Sequence, residues 1–98
     1  MMRVLFFAKL REQLGIEHFQ LDARASQITS LAALLRYMHE SAEEIGFAPN
    51  AFHVLPRDLP LKTLLVSVNQ TIIDAGEQQH QILNEADEIA FFPPVTGG

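Results

Sequence analysis

The spacing of apolar residues changes several times along this chain, and each change marks an element. Residues 2–8 form a nearly unbroken apolar run that includes Val4, Phe6 and Phe7. A short run of this kind, closed by a polar turn, predicts a strand buried largely on both faces, as at the centre of a sheet. Lys9 to Leu14 predicts one short helical turn ended by Gly15, since glycine takes the left-handed conformation of a helix C-terminus without steric cost. From Ile16 to Asp22 the pattern alternates, with Phe19 and Leu21 inward. A second strand paired with the first as a hairpin is expected.

Helical spacing follows. Leu31, Leu34, Leu35, Met38, Ala42 and Ile45 fall on one stripe, while Arg36, Glu40, Glu43 and Glu44 take the other side. The pattern predicts one helix from Leu31 to Ile45, N-capped by the Ser30 hydroxyl and stopped at Gly46. His39 and Glu43, one turn apart, are expected to pair weakly. Residues 46–63 contain Pro49, Pro56 and Pro60 and are expected to be a loop with a short edge strand near Phe52 to Leu55. Leu64 to Thr71 reads as a strand with Leu64, Val66 and Val68 on one face. Asp74 to Asn84 is polar and turn-rich. Glu88 to Phe92 is the last strand, with Ile89 and Phe91 on one face and Ala90 and Phe92 on the other. Pro93-Pro94 then ends sheet pairing, because neither residue has an N–H to donate.

Strand, strand, helix, strand, strand predicts an α+β fold, a mixed sheet with one main helix packed on one face. If the helix is the right-handed crossover of a strand–helix–strand unit, the last strand lies parallel to the first in the sheet centre. That layout is the ubiquitin-like β-grasp. The expected organisation is one domain over 1–98, with 93–98 an extended C-terminal tail.

Composition narrows the function. A chain of 98 residues suits a single core. It has no cysteine, so disulfides, thiolate metal sites and cysteine nucleophiles are excluded, in keeping with a cytoplasmic location. A net charge of −5 with only seven Lys and Arg argues against nucleic acid and anionic membranes as partners. The run from Val4 to Ala8 is too short for a signal peptide, and no stretch reaches the ~18 apolar residues of a membrane span. His18, His39, His53 and His80 show no metal-ligand spacing. Glu43-Glu44 and Asp87-Glu88 are adjacent acids, which point apart on a helix and oppose on a strand, so they read as solvated faces. No nucleotide-binding glycine motif is present. The chain is not expected to be an enzyme by itself, or to bind a cofactor or metal.

The ending Pro93-Pro94-Val95-Thr96-Gly97-Gly98 carries the candidate chemistry. Two prolines give a stiff, extended exit from the sheet. Six residues at ~3.3 Å each reach about 20 Å, enough to enter another protein's active site. Gly97 and Gly98 have no side chain, so a narrow channel can close on the backbone and nothing crowds the terminal carbonyl. An ionised carboxylate is a poor electrophile and must be activated, most simply as a mixed anhydride with AMP. A sulfur donor would then yield a thiocarboxylate, and an amine would yield an amide; either route needs no catalytic side chain here. The bland alternative is a frayed glycine-rich end, against which stands the placement of two of the five glycines directly after a rigid Pro-Pro.

Three blocks carry a family resemblance: Val4-Leu5-Phe6-Phe7-Ala8-Lys9-Leu10-Arg11-Glu12, Val68-Asn69-Gln70-Thr71, and Asp87-Glu88-Ile89-Ala90-Phe91-Phe92-Pro93-Pro94-Val95-Thr96-Gly97-Gly98. In this order they resemble the small, sulfur-carrier subunits of molybdopterin synthase. The resemblance implies a β-grasp fold and activation of Gly98 by a ubiquitin-activating-like adenylyltransferase that uses ATP and Mg. A sulfur donor protein would then convert Gly98 to the thiocarboxylate. It further implies a heterotetramer with a large catalytic subunit, in which two carriers supply two sulfurs to cyclic pyranopterin monophosphate (precursor Z) to make molybdopterin. Phe7, Ile72 and Phe92 would form an apolar patch used by both partners, with Arg11 the polar contact beside it. Ala86 stands where the family has glycine, so a turn requiring positive φ would be reshaped. Residues 46–63 and 73–84 are longer than the family leads one to expect. A related carrier for thiamine, cysteine or tRNA thiolation, or a ubiquitin-like protein modifier, would share the same build.

Overall fold

Four of the five strands have an apolar side that is buried, and the two longer helices pack over it. The structure, a computed structural model, describes residues 1–94 apart from the Phe52 side chain. Five strands, β1 (Met2–Phe6), β2 (His18–Leu21), β3 (Leu65–Val68), β4 (Thr71–Ile72) and β5 (Glu88–Phe92), form one sheet in the order β2-β1-β5-β3-β4. β1 and β5 are parallel, and the other pairs are antiparallel. The last strand therefore lies beside the first at the sheet centre, as the β-grasp layout requires.

Met2, Val4 and Phe6 of β1, Val66 and Val68 of β3, and Ile89 and Phe91 of β5 point to one side and are buried. They pack in one core with Leu31, Leu34, Leu35 and Met38 of α2 (Leu31–Glu40) and with Leu10 and Leu14 of α1 (Ala8–Leu14). Phe6 is the hub of the aromatic packing, with ring centroids 6.0 Å from Phe19, 5.6 Å from Phe47 and 6.1 Å from Phe91. Ser30 caps α2 as expected, its hydroxyl accepting from the Ala33 N–H at 3.1 Å. Gly15 ends α1 in the left-handed region, at φ 81°.

Several expectations need correction. β1 is buried on one face only. Arg3 is exposed and Leu5 half-buried, because among the described residues no helix packs on the second face. The predicted single helix breaks at Ser41, whose φ of −112° and ψ of 23° leave the helical region; a single-turn α3 (Ala42–Ile45) follows and ends at Gly46. Serine favours helix ends over interiors, since its hydroxyl competes for nearby backbone groups. His39 turns inward, with Nε2 3.1 Å from the Pro56 carbonyl oxygen. No edge strand forms near Phe52. Residues Ala51–His53 make a 3-10 turn, and the Leu55 N–H donates to the Ala51 carbonyl at 3.0 Å. Ala51 and Leu55, four apart, are both buried while His53 between them is exposed, whereas a strand would put all three on one face.

Leu64 to Thr71 is not one strand but most of a hairpin. Asn69 (φ 50°) and Gln70 (φ 72°) form a two-residue turn between β3 and β4. Positive φ at both central positions is the type I′ geometry that matches the right-handed twist of the flanking strands. A single-turn α4 (Ala75–Gln78) occupies part of the polar segment that follows. Ala86 does not have a positive φ. Its turn is closed by the Asp87 N–H to the Asn84 carbonyl at 3.1 Å and the Asn84 N–H to Asp87 Oδ2 at 2.8 Å, a conformation alanine adopts without strain.

Candidate functional site

The face of the sheet that no helix among the described residues covers is the candidate site, and strand register decides what stands on it. Arg3 pairs with Glu88, Leu5 with Ala90, and Ala90 with Ser67, which in turn faces Ile72. One step further, Leu65 pairs with Phe92. The Phe7 N–H donates to the Phe91 carbonyl at 3.2 Å, extending the parallel ladder by one residue and setting Phe7 beside Phe92. Alternation along each strand then puts Phe7, Leu5, Ala90, Phe92, Leu65 and Ile72 on the same side. Phe7 is 47% and Ile72 52% exposed, while Phe92, Leu5 and Leu65 are half-buried. Ala90 is only 8% exposed, a small residue sunk between taller neighbours. Three strand spacings of ~4.8 Å separate Phe7 from Ile72 across the sheet, about 14 Å in that direction.

Local backbone chemistry aims Phe7 outward. Ala8 has a φ of 55°, a left-handed conformation that is unfavourable for an L-residue. It turns the chain sharply from β1 into α1, leaving Phe7 extended at φ −121° and ψ 156°. The Arg11 N–H donates to the Phe7 carbonyl at 3.4 Å, so Arg11 sits one helical turn beyond Phe7. Its guanidinium lies 3.6 Å from Glu17. At the other end of β1, Arg3 pairs with Glu88 at 3.0 Å. An apolar centre with charged pairs at its edge is the make-up of a protein docking surface.

The far end of β5 leads off this surface. Phe92 is followed by half-buried Pro93 and exposed Pro94. Pro93 lines a shallow cavity of about 210 Å3 together with Lys9, Gln13 and Thr63. Val95, Thr96, Gly97 and Gly98 lie outside the described residues.

The near end of β5 is locked. Asn69 Nδ2 donates to Asp87 Oδ1 at 2.9 Å, Asn69 Oδ1 accepts from the Glu88 N–H at 2.9 Å, and the Asn69 N–H donates to the Glu88 carbonyl at 2.8 Å. Two of the three sequence blocks that carry the family resemblance are thus one physical unit, which fixes where β5 starts.

The structure brings Phe7, Phe92 and Ile72 onto one face, with Arg11 beside it. Leu5, Ala90 and Leu65 complete the floor of the patch and were not singled out from the sequence. Strand phase marks two of them, since Leu5 and Ala90 stand two residues before Phe7 and Phe92. Among the described residues no group of three His, Asp or Glu side chains gathers as a metal site, and no helix is long and apolar enough to cross a membrane.

With this geometry in place, comparison with known proteins is informative. The model of the ThiS family matches residues 4–98. A molybdopterin synthase sulfur carrier subunit from Escherichia coli is 34% identical over 98 residues, covering 100% of both chains. One from Haemophilus influenzae is 33% identical with the same full coverage. Among solved structures, SAMP1 from Haloferax volcanii superposes with a TM-score of 0.57 at 24% identity, covering 99% of this chain and 98% of that one.

Proposed function

The chain belongs to the ThiS family, and on that premise we propose that it is the sulfur carrier subunit of a molybdopterin synthase. The observation that carries the reading is the exit of β5. The strand that leads into Pro93-Pro94 lies beside β1 at the sheet centre, with Phe92 next to exposed Phe7. A partner that docks on the apolar face is thereby positioned to receive the tail.

The carrier supplies no catalytic side chain of its own. The Gly98 carboxylate attacks the α-phosphate of ATP in the active site of an adenylyltransferase, where Mg assists, and pyrophosphate leaves. A sulfur nucleophile delivered by a donor protein then attacks the acyl carbon and AMP leaves, giving the Gly98 thiocarboxylate. The charged carrier docks on the large catalytic subunit through Phe7, Ile72 and Phe92, with Arg11 at the edge. Pro93 to Gly97 thread into that subunit, and the glycines allow close approach of its walls. There the thiocarboxylate sulfur is transferred to precursor Z, and two carriers acting in turn furnish the dithiolene of molybdopterin. Catalysis belongs to the partners, and the chain holds no resident cofactor. We place this cycle in the cytoplasm, consistent with the absence of cysteine.

Intact-mass measurement tests the reading. After incubation with the adenylyltransferase, ATP and a sulfide source, one oxygen on Gly98 should be replaced by sulfur, located by fragmentation. Failure to charge under conditions that charge an established carrier would defeat it. Amide adducts on lysines of other proteins would instead identify a modifier.

A further inference from the structure

The distribution of charge contradicts the bulk composition in one place. Of the seven Lys and Arg, three are paired: Arg3 with Glu88, Arg11 with Glu17, and Arg24 with Glu85. Among the described residues the other four, Lys9, Arg36, Arg57 and Lys62, have no ion pair. All four line a continuous run of cavities. The first, about 400 Å3, lies between α2 and the segment 57–59 and holds Arg36 and Arg57. The second, about 680 Å3, is formed by residues 53–63 and holds Arg57 and Lys62. The third is the cavity at the tail exit, with Lys9 and Pro93. Arg57 is common to the first two, and His53 to the last two.

The acids facing this band are Glu40 and Asp58. Four cations less two acids leave a formal +2 on the band, so the rest of the chain carries −7 to reach the net −5. Cations on so acidic a molecule have many possible carboxylate partners, yet among the described residues none of these four forms an ion pair, although Glu40 and Asp58 line the same cavities. Leu55, Leu59, Pro56 and Pro60 supply apolar wall between them. The band also reaches Pro93 at the root of the tail, so a protein that holds the tail would have the band within reach.

We propose that this band docks an acidic, partly apolar segment of the protein that receives the tail. The proposal rests on the carrier reading above and names a second contact surface, separate from the apolar sheet face. A short acidic protein segment fits better than a nucleic acid: its few charges match the local +2 and its apolar side chains match the wall, whereas a nucleic acid carries a continuous row of phosphates past the −7 on the remaining surface. Lys62 and Arg57 belong to the segment 46–63, which gives that long loop a task.

The test uses the full chain. Affinities of the large subunit and of the adenylyltransferase are measured at low and high salt for the wild type, for an Arg57→Glu/Lys62→Glu double variant, and for Arg24→Glu as a control. Both band positions are exposed, so an unchanged melt confirms that the fold is intact. The double variant should weaken one of the two complexes at least about tenfold and flatten its salt dependence, while Arg24→Glu leaves both alone. In parallel, hexaglutamate added to the isotope-labelled chain should shift the resonances around Arg36, Arg57 and Lys62. Undiminished affinity of the double variant for both partners overturns the proposal, as does a stronger response of those resonances to a single-stranded oligonucleotide. If the wild type binds neither partner, the carrier reading fails instead, and the hexaglutamate titration still decides whether the band takes acidic peptide.

Discussion

Asn69 and Asp87 are eighteen positions apart and share a 2.9 Å hydrogen bond, from Nδ2 to Oδ1. Asp87 is 8% exposed, and its other oxygen accepts from the Asn84 N–H at 2.8 Å. The pair ties the β3–β4 turn to the start of β5. Asp87→Ala removes two acceptors and leaves the Asn69 amide with one partner fewer. The expected loss is about 1–3 kcal/mol, read as a fall in melting temperature of roughly 4–8 °C per kcal/mol for a domain of this size. A double-mutant cycle with Asn69→Ala should give a coupling of about 0.5–3 kcal/mol. Strict additivity of the two substitutions would mean that the bond contributes nothing of its own.

The same turn contains an unfavourable residue. Gln70 has a φ of 72°, where a side chain costs about 1–2 kcal/mol and glycine costs almost nothing. Gln70→Gly creates Asn-Gly, the sequence that type I′ hairpins favour. Thermal melts should show stabilisation of up to about 1 kcal/mol, since the added freedom of the unfolded chain offsets part of the gain. A lower melting temperature would contradict the assigned turn.

Much of the fold is legible along the chain, and the misreadings share a cause. β5, α1 and the Ser30 cap follow from local pattern, because period, glycine and capping chemistry agree there. The β3–β4 hairpin was hidden because its turn is Asn-Gln, so the tertiary lock through Asp87 does what a glycine would otherwise signal. The turn at Ala51–His53 was hidden among prolines and apolar residues whose spacing fits strand and helix alike. The two-faced burial expected of β1 failed on Leu5 and Phe7. Both are apolar but stand on the side that no helix among the described residues covers, so hydrophobicity there does not mark a core. The band of cations, unpaired among the described residues, was invisible in the net charge, since it is made by bringing residues 9, 36, 57 and 62 together.

The apolar face makes a prediction separable from stability. Ile72 is half-exposed and lies at the β4 edge, so Ile72→Ala removes little buried area in the free chain. A change of under about 0.5 kcal/mol in stability is expected for a substitution of this kind. Affinity for the large subunit, measured by calorimetry, should fall about tenfold, equivalent to about 1.4 kcal/mol. Normal affinity in the variant would remove Ile72 from the interface.

Phe6 and Phe7 are neighbours on opposite faces, and they give the sharpest test of the whole arrangement. Phe6 is 1% exposed and central to the ring cluster, whereas Phe7 is 47% exposed on the other face. Phe6→Ala opens a cavity among Phe19, Phe47 and Phe91 and should cost about 3–5 kcal/mol. A domain of this length has on the order of 5–15 kcal/mol in total, so a large part of its stability is lost and the melting temperature drops steeply. Phe7→Ala should leave the melt within a few degrees of the wild type while weakening docking and slowing sulfur transfer from Gly98. The two substitutions are chemically identical and one residue apart, so composition and local propensity cannot account for the contrast. If both variants lost stability equally, the second face would be core, and the surface from which the tail departs would not be open to a partner.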